Sequence, residues 1–138
     1  MAGQPPAPEH DQARATVIRI GVRLHVLLGE RLGHHFYSVP ALDMLLDLYL
    51  IGKRRPRSLS SLCGASPAPV RTALRTINRM VDGGLLERRP DLSDGRRTNV
   101  ELTPTAVSLL DGLFDELAKA CISSKRKGGM VDNRLIIR

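Results

Sequence analysis

The segment SPAPVRTALRTINRMVDGG, Ser66–Gly84, constrains the fold more than any other, because its residues can be satisfied together only on a two-faced helix. Val70, Leu74, Ile77 and Val81 recur at spacings of four, three and four, which gathers them on one side of a helix. Arg71, Arg75 and Arg79 recur every four residues on a side turned well away from that stripe, flanked by Thr72 and Thr76. Ser66 is the expected cap and Pro67 the expected first helical residue, while Gly83 and Gly84 stop the helix. A helix face turned to water ordinarily mixes acids with bases, but no acid lies between Val70 and Val81. One side is built to bury and the other presents three guanidinium groups.

The neighbours of this helix place it in a larger unit. Upstream, SLSSLCGAS predicts a short helix capped by Ser58, with Leu59 and Leu62 inward, and then a tight turn at Gly64–Ser66. Further upstream, SVPALDMLLDLYLIGKR predicts a helix capped by Ser38, with Pro40 in its first turn and an apolar face of Leu42, Leu45, Leu46, Tyr49 and Leu50. Downstream, LLERR and TNVELT are short strands joined by a polar turn that carries Asp91, Asp94, Arg96 and Arg97. Leu85, Val100 and Leu102 are their inward residues. Thr103 then caps an amphipathic helix with Leu109, Leu110, Leu113, Phe114 and Leu117 on its apolar side.

Two readings compete for Val17–Val26. Ile18, Ile20, Val22, Leu24 and Val26 alternate with Arg19, Gly21, Arg23 and His25, as in a strand. Val17, Ile20, Leu24, Leu27 and Leu28 also fit one helical stripe, and the length of the segment favours that helix. Residues 1–11, polar and Pro-rich, read as a disordered leader. Residues 12–122 read as one domain with flanking dimerisation helices, and residues 123–138 as a basic tail. The predicted class is mainly α with a small β-hairpin. Two helices across a short turn make a helix-turn-helix, whose second helix can enter a major groove, and the hairpin after it is a wing.

Charge agrees with such a partner. The 138-residue chain carries a formal net charge of +7, with a pI of about 10.2, as expected for a nucleic-acid partner, and an anionic membrane surface would also fit. Aromatic residues are only 3%, with no Trp, which disfavours a single-strand binder that needs stacking platforms. Arginine can pair with a guanine edge or clamp a phosphate, and threonine can do a little of either.

The stretch SLSSLCGASPAPVRTALRTINRMVDGGLLERRPDLSDGRRTNVELT resembles the winged helix-turn-helix core of MarR-type bacterial transcription regulators. The most specific part is GLLERRPDLSDGRRTNVELT. It is similar to that family's Gly-Leu, arginine strand, Asp-x-Arg wing and Val-x-Leu-Thr, here Asp94-Gly95-Arg96 followed by Val100, Leu102 and Thr103. PALDMLLDLYL resembles the helix before the helix-turn-helix in a subgroup. The resemblance runs from about Pro40 to Leu117. It implies a cytoplasmic homodimer on pseudo-palindromic double-stranded DNA, with Pro67–Asp82 in the major groove and Arg96 in the minor groove, braced by Asp94. Thr72 and Arg75 fall at recognition-helix positions. The candidate DNA-binding set is therefore Ser60, Ser66, Arg71, Thr72, Arg75, Thr76, Arg79, Asp94, Arg96 and Arg97, with Ser60, Ser66 and the basic loops on phosphates. MarR-type dimers usually use the first helix and two long C-terminal helices. Here a single C-terminal helix is evident, so Val17–Phe36 and Thr105–Ile122 are the expected dimer segments. Many relatives bind phenolic or other small ligands near that interface, but no effector is identified by the residues of this chain.

Other chemistries find little support. His34 and His35, with His25 and His10, lack companion carboxylates or thiols at ligand spacing, so no metal or cofactor is expected. Cys63 and Cys121 form no metal motif and read as reduced structural thiols. The sequence has no Ser-His-Asp pattern and no phosphate-binding Gly loop, and an enzyme is not expected. No apolar run reaches membrane-spanning length. The rival reading is a winged helix whose basic face meets an acidic protein partner.

Overall fold

The structure, a computed structural model, describes residue 3 and residues 8–34, 38–52 and 55–126. Its elements run α1 (Pro8–Leu32), α2 (Val39–Ile51), β1 (Arg57–Ser58), α3 (Leu59–Cys63), α4 (Val70–Asp82), β2 (Leu86–Pro90), β3 (Thr98–Leu102) and α5 (Pro104–Arg126). The described residues form two compact units. One is Leu32–Asp111, and the other joins α1 up to Arg31 with α5 from Gly112.

The first unit is a winged helix-turn-helix. Its sheet has three antiparallel strands in the order β1-β3-β2 rather than the hairpin alone. The added strand is two residues long, with Arg57 opposite Val100 and Ser58 opposite Asn99. Two residues are too few to show any alternation in a sequence. β2 pairs with β3 from Leu86–Leu102 to Pro90–Thr98. Leu86, Val100 and Leu102 thereby share one buried face with Leu85 beside them.

The core of this unit gathers Met44, Leu45 and Leu48 of α2, Leu62 of α3 and Ile77 and Met80 of α4 against that sheet face, all at most 1% exposed. Each fully buried side chain of this kind contributes roughly 1.5–3 kcal/mol relative to exposure. The α2 face is rotated from the expected one. Ala41, Leu42, Met44, Leu45 and Leu48 are buried, whereas Leu50 is 83% exposed. A four-residue period drifts on a 3.6-residue helix, and Leu50 lies in the last turn where the buried stripe has rotated away.

Ser38 caps α2 by accepting from the Ala41 N–H at 3.2 Å, and Ser58 caps α3 by accepting from Ser61 N–H at 3.3 Å. Thr103 has the largest local role. Its hydroxyl donates to the Gly84 carbonyl at 2.7 Å and accepts from the Ala106 N–H at 3.1 Å, and its N–H donates to Leu85 O at 3.1 Å. One buried residue thus caps α5 and fastens it to the turn that ends α4. In that turn Gly84 has φ +77, a left-handed geometry suited to glycine.

In the second unit, Val17–Val26 lies wholly within helix α1, so the helical stripe prevails over the strand alternation. The helix starts at Pro8, inside the segment read as a leader. Pro at a first helical position is preorganised, and Glu9 and Asp11 complement the helix dipole. Glu116 of α5 joins α1 by accepting from Arg31 at 2.6 Å and from Arg23 at 3.2 Å. The Arg31 hydrogen bond, with help from Arg23, holds the Glu116 carboxyl below its ordinary range against a desolvation effect in the other direction. A Cβ at Gly112 would lie 3.4 Å from the Arg31 guanidinium, at van der Waals contact. α5 continues to Arg126, four residues into the segment read as a tail, and the remainder of that segment lies outside the described residues.

Candidate nucleic-acid interface

α4 starts at Val70, not at Pro67. Pro67 and Pro69 lack N–H groups, and Ala68 is biased away from helix by the proline after it. Pro69 occupies the cap position without a side-chain hydrogen bond. Ser66 consequently caps nothing. It is buried, and its hydroxyl accepts from the Ala68 N–H at 3.2 Å, which shapes the turn between α3 and α4.

The buried stripe of α4 is Ala73, Ile77 and Met80, with Leu74 and Val81 half-buried. Val70 is 65% exposed, because it lies in the first turn, beyond the reach of the core. Turned away from the stripe are Arg71, Thr72, Arg75, Asn78 and Arg79, all exposed. Among the described residues, none of the three arginines has an ion pair or side-chain hydrogen bond. Thr76 is half-buried, and its hydroxyl donates to the Thr72 carbonyl at 2.9 Å, so its methyl and lone pairs are what remain to present. Ser60, on α3, is exposed, with its hydroxyl 3.5 Å from that of Ser58.

The wing is built by its own acids. Asp91 accepts from both the hydroxyl and the N–H of Ser93, at 2.7 and 2.9 Å, and these bonds hold its carboxyl below the ordinary range. Asp91 N–H donates to Arg97 O at 3.1 Å and Arg97 N–H donates to Asp94 O at 3.0 Å, closing the loop. Asp94 accepts from the backbone N–H of Arg96 at 3.0 Å, and its other oxygen lies 3.8 Å from Nε of Arg97. The expected brace therefore acts on the backbone of Arg96, while the carboxylate partially occupies the side chain of Arg97. The Arg96 guanidinium is exposed and has no acid partner among the described residues.

The other arginines near this surface divide sharply. Arg57 is engaged by Asp47 of α2, with contacts of 2.6 and 3.1 Å, and is not a free phosphate ligand. Arg89 pairs with Glu87 and Glu101 on the outer face of the sheet. Arg88 is exposed and unpaired among the described residues. Strand parity, a signal present in the sequence, separates Arg88 from Arg89. Arg55 is exposed, and Lys53 and Arg54 lie outside the described residues.

Cys63 is buried and its thiol pushed up by desolvation, and Cys121 is half-buried on α5. Among the described residues no three His, Cys, Asp or Glu side chains converge as a metal site requires, and His35 lies outside them. No helix among the described residues is long and apolar enough to cross a membrane.

No protein-family model and no curated protein matches the sequence. Solved structures do match the fold. A MepR mutant from S. aureus bound to an oligodeoxyribonucleotide superposes with a TM-score of 0.66 at 17% identity, over 86% of this chain and 84% of that one. A MarR mutant from E. coli complexed with operator DNA gives 0.54 at 17% identity, over 80% and 76%. The transcriptional regulator Tm0710 from Thermotoga maritima gives 0.63 at 17% identity, over 83% and 78%. This chain has the winged-helix fold of those MarR-type regulators.

Proposed function

We propose that this chain is a MarR-type transcription regulator: a cytoplasmic homodimer that binds a preferred sequence in double-stranded DNA. The observation that carries the reading is the solvent face of α4, where Arg71, Arg75 and Arg79 stand exposed without an acid partner among the described residues. The same fold bound to an oligodeoxyribonucleotide in one solved structure and to operator DNA in another supports it. So does the net charge of +7.

In this reading α4 enters the major groove, where Arg71, Thr72 and Arg75, with Thr76 and Arg79, read base edges or clamp phosphates. Arg96 enters the adjacent minor groove, where it responds to groove width, with Arg97 beside it. Ser60 and Arg55 meet phosphates, and Ser66 holds the turn that aims α4. Dimerisation through α1 and α5 is supported by the apolar side chains these helices leave exposed, Val17, Ile18 and Val22 on one and Ile122 on the other.

The test is selection of bound sequences from random duplex DNA. The expected product is a pseudo-palindrome whose half-sites lie about one helical turn apart. Absence of duplex affinity at low salt would overturn the reading and leave the basic face to an acidic protein partner.

A further inference from the structure

Strand alternation separates the adjacent arginines Arg88 and Arg89. In β2, Leu86, Arg88 and Pro90 share one face, and Glu87 and Arg89 the other. Arg89 is neutralised on its face by Glu87 at 3.3 Å and by Glu101 across the ladder. Arg88 stands opposite Val100, which is fully buried, on the sheet face that carries Leu86 and packs with α4. Arg88 itself is exposed, on a strand that forms an edge of the sheet. No acid engages it among the described residues.

Acids of the wing cannot easily quench it either. Glu87 and Glu101 face the other side of the sheet. Asp91 is engaged by Ser93, and Asp94 by Arg96 N–H and Arg97. A guanidinium is always charged and presents a fork of donors that matches a phosphate. Along the chain, Arg88 stands between α4, with Arg71, Arg75 and Arg79, and the wing tip, with Arg96.

We infer that Arg88 is a DNA-phosphate ligand that extends the basic face of α4 along β2 toward the wing, and that Arg89 is a structural residue of the sheet. The inference rests on the duplex-binding reading above. It names a positioning contact rather than a base reader, because phosphate contacts fix register and carry no sequence information themselves.

The experiment measures binding of the full chain to a fluorescein-labelled duplex across a salt series, for wild type, Arg88→Ala, Arg88→Lys and Arg89→Ala. Arg88→Ala is expected to lower the slope of log affinity against log salt by about one and to weaken selected and random duplexes alike. Arg88→Lys should restore the slope, because the point charge is kept. Arg89→Ala should leave the slope at the wild-type value. Circular dichroism melts identify any variant that fails to fold, in which case Arg88→Gln replaces Arg88→Ala. Wild-type binding with an unchanged slope in the alanine variant overturns the Arg88 role alone. Failure of the wild type to bind any duplex overturns the functional reading and the Arg88 role with it.

Discussion

Asp94 accepts a hydrogen bond from the backbone N–H of Arg96 at 3.0 Å while the Arg96 guanidinium stays unpaired among the described residues. The carboxylate therefore shapes the loop that carries the arginine without neutralising it. The loop uses Asp94 as an acceptor, and on the proposed duplex-binding wing its negative charge would be a cost. Asp94→Asn retains the acceptor and is expected to bind duplex at least as tightly as wild type. Asp94→Ala loses it and should bind more weakly than the Asn variant by about 0.5–1.5 kcal/mol, the net worth of one hydrogen bond. Equal affinities for the two variants in an anisotropy titration would refute the brace.

Arg96 itself is the proposed minor-groove residue. Arg96→Ala should weaken duplex binding and reduce the salt slope by about one. Arg97→Ala should do less, because Asp94 lies 3.8 Å from its Nε and already competes for it. If Arg96→Ala leaves affinity untouched while Arg75→Ala abolishes it, the wing role is wrong and the recognition helix stands.

The packing of α4 makes a prediction about stability alone. Ile77 is fully buried and Val70 is 65% exposed, although the sequence period places them on one stripe. Ile77→Ala should destabilise the protein by about 2–5 kcal/mol, through lost burial and the cavity left behind. Val70→Ala should change it by no more than about 0.5 kcal/mol. Denaturant unfolding of the two variants gives the comparison, and equal losses would contradict the observed helix phase.

Thr103 can be tested in the same way. Its hydroxyl caps α5 and also reaches the Gly84 carbonyl, so Thr103→Ala should cost about 1–2 kcal/mol and Thr103→Ser considerably less. A loss confined to both variants equally would point to the methyl group instead.

Acid sensitivity should arise in part at Glu116. Its carboxyl is held below the ordinary range by Arg31 and Arg23, so the folded state binds this proton less readily than the unfolded chain does. The stabilisation is present above the unfolded pKa and is lost as pH falls through the folded one. Glu116→Gln should lower stability slightly at pH 7, by less than about 1 kcal/mol because the pair is partly exposed, and flatten the dependence below pH 5. Unfolding curves at pH 7, 5 and 3.5 show whether the difference between variant and wild type shrinks with acid.

Much of this was legible in the order of residues. Caps at Ser38, Ser58 and Thr103, the glycine stop at Gly83–Gly84 and the alternation of Val100 and Leu102 are local signals, written within a few residues, whereas the ladder partner of Leu102 is Leu86 rather than the expected Leu85, which is buried just before the strand. The basic face of Arg71, Arg75 and Arg79 is equally local, since helical period alone separates it from the apolar stripe. Where two local signals conflicted, as in Val17–Val26, length and context decided for the helix. The start of α4 was misplaced because Ser66-Pro67 looks like a cap and first helical residue, while the second proline, Pro69, moves the start to Val70.

By itself, then, the sequence determined the succession of helices, the hairpin β2–β3, the winged helix-turn-helix class and the side of α4 that carries the arginines, because these follow from periods of 3.6 and 2 and from local capping, whereas the two-residue β1 appeared only in the structure. Only the tertiary structure decided which charges are free. Asp47 takes Arg57 from ten residues away, Glu101 takes Arg89 across a ladder, and Glu116 takes Arg23 and Arg31 from the opposite end of the chain. Spacing along a chain cannot show such pairings, since they form only when strands register and helices pack. Among the arginines left without an acid partner in the described residues are those on α4, Arg88 and Arg96, and they carry the proposed duplex-binding surface.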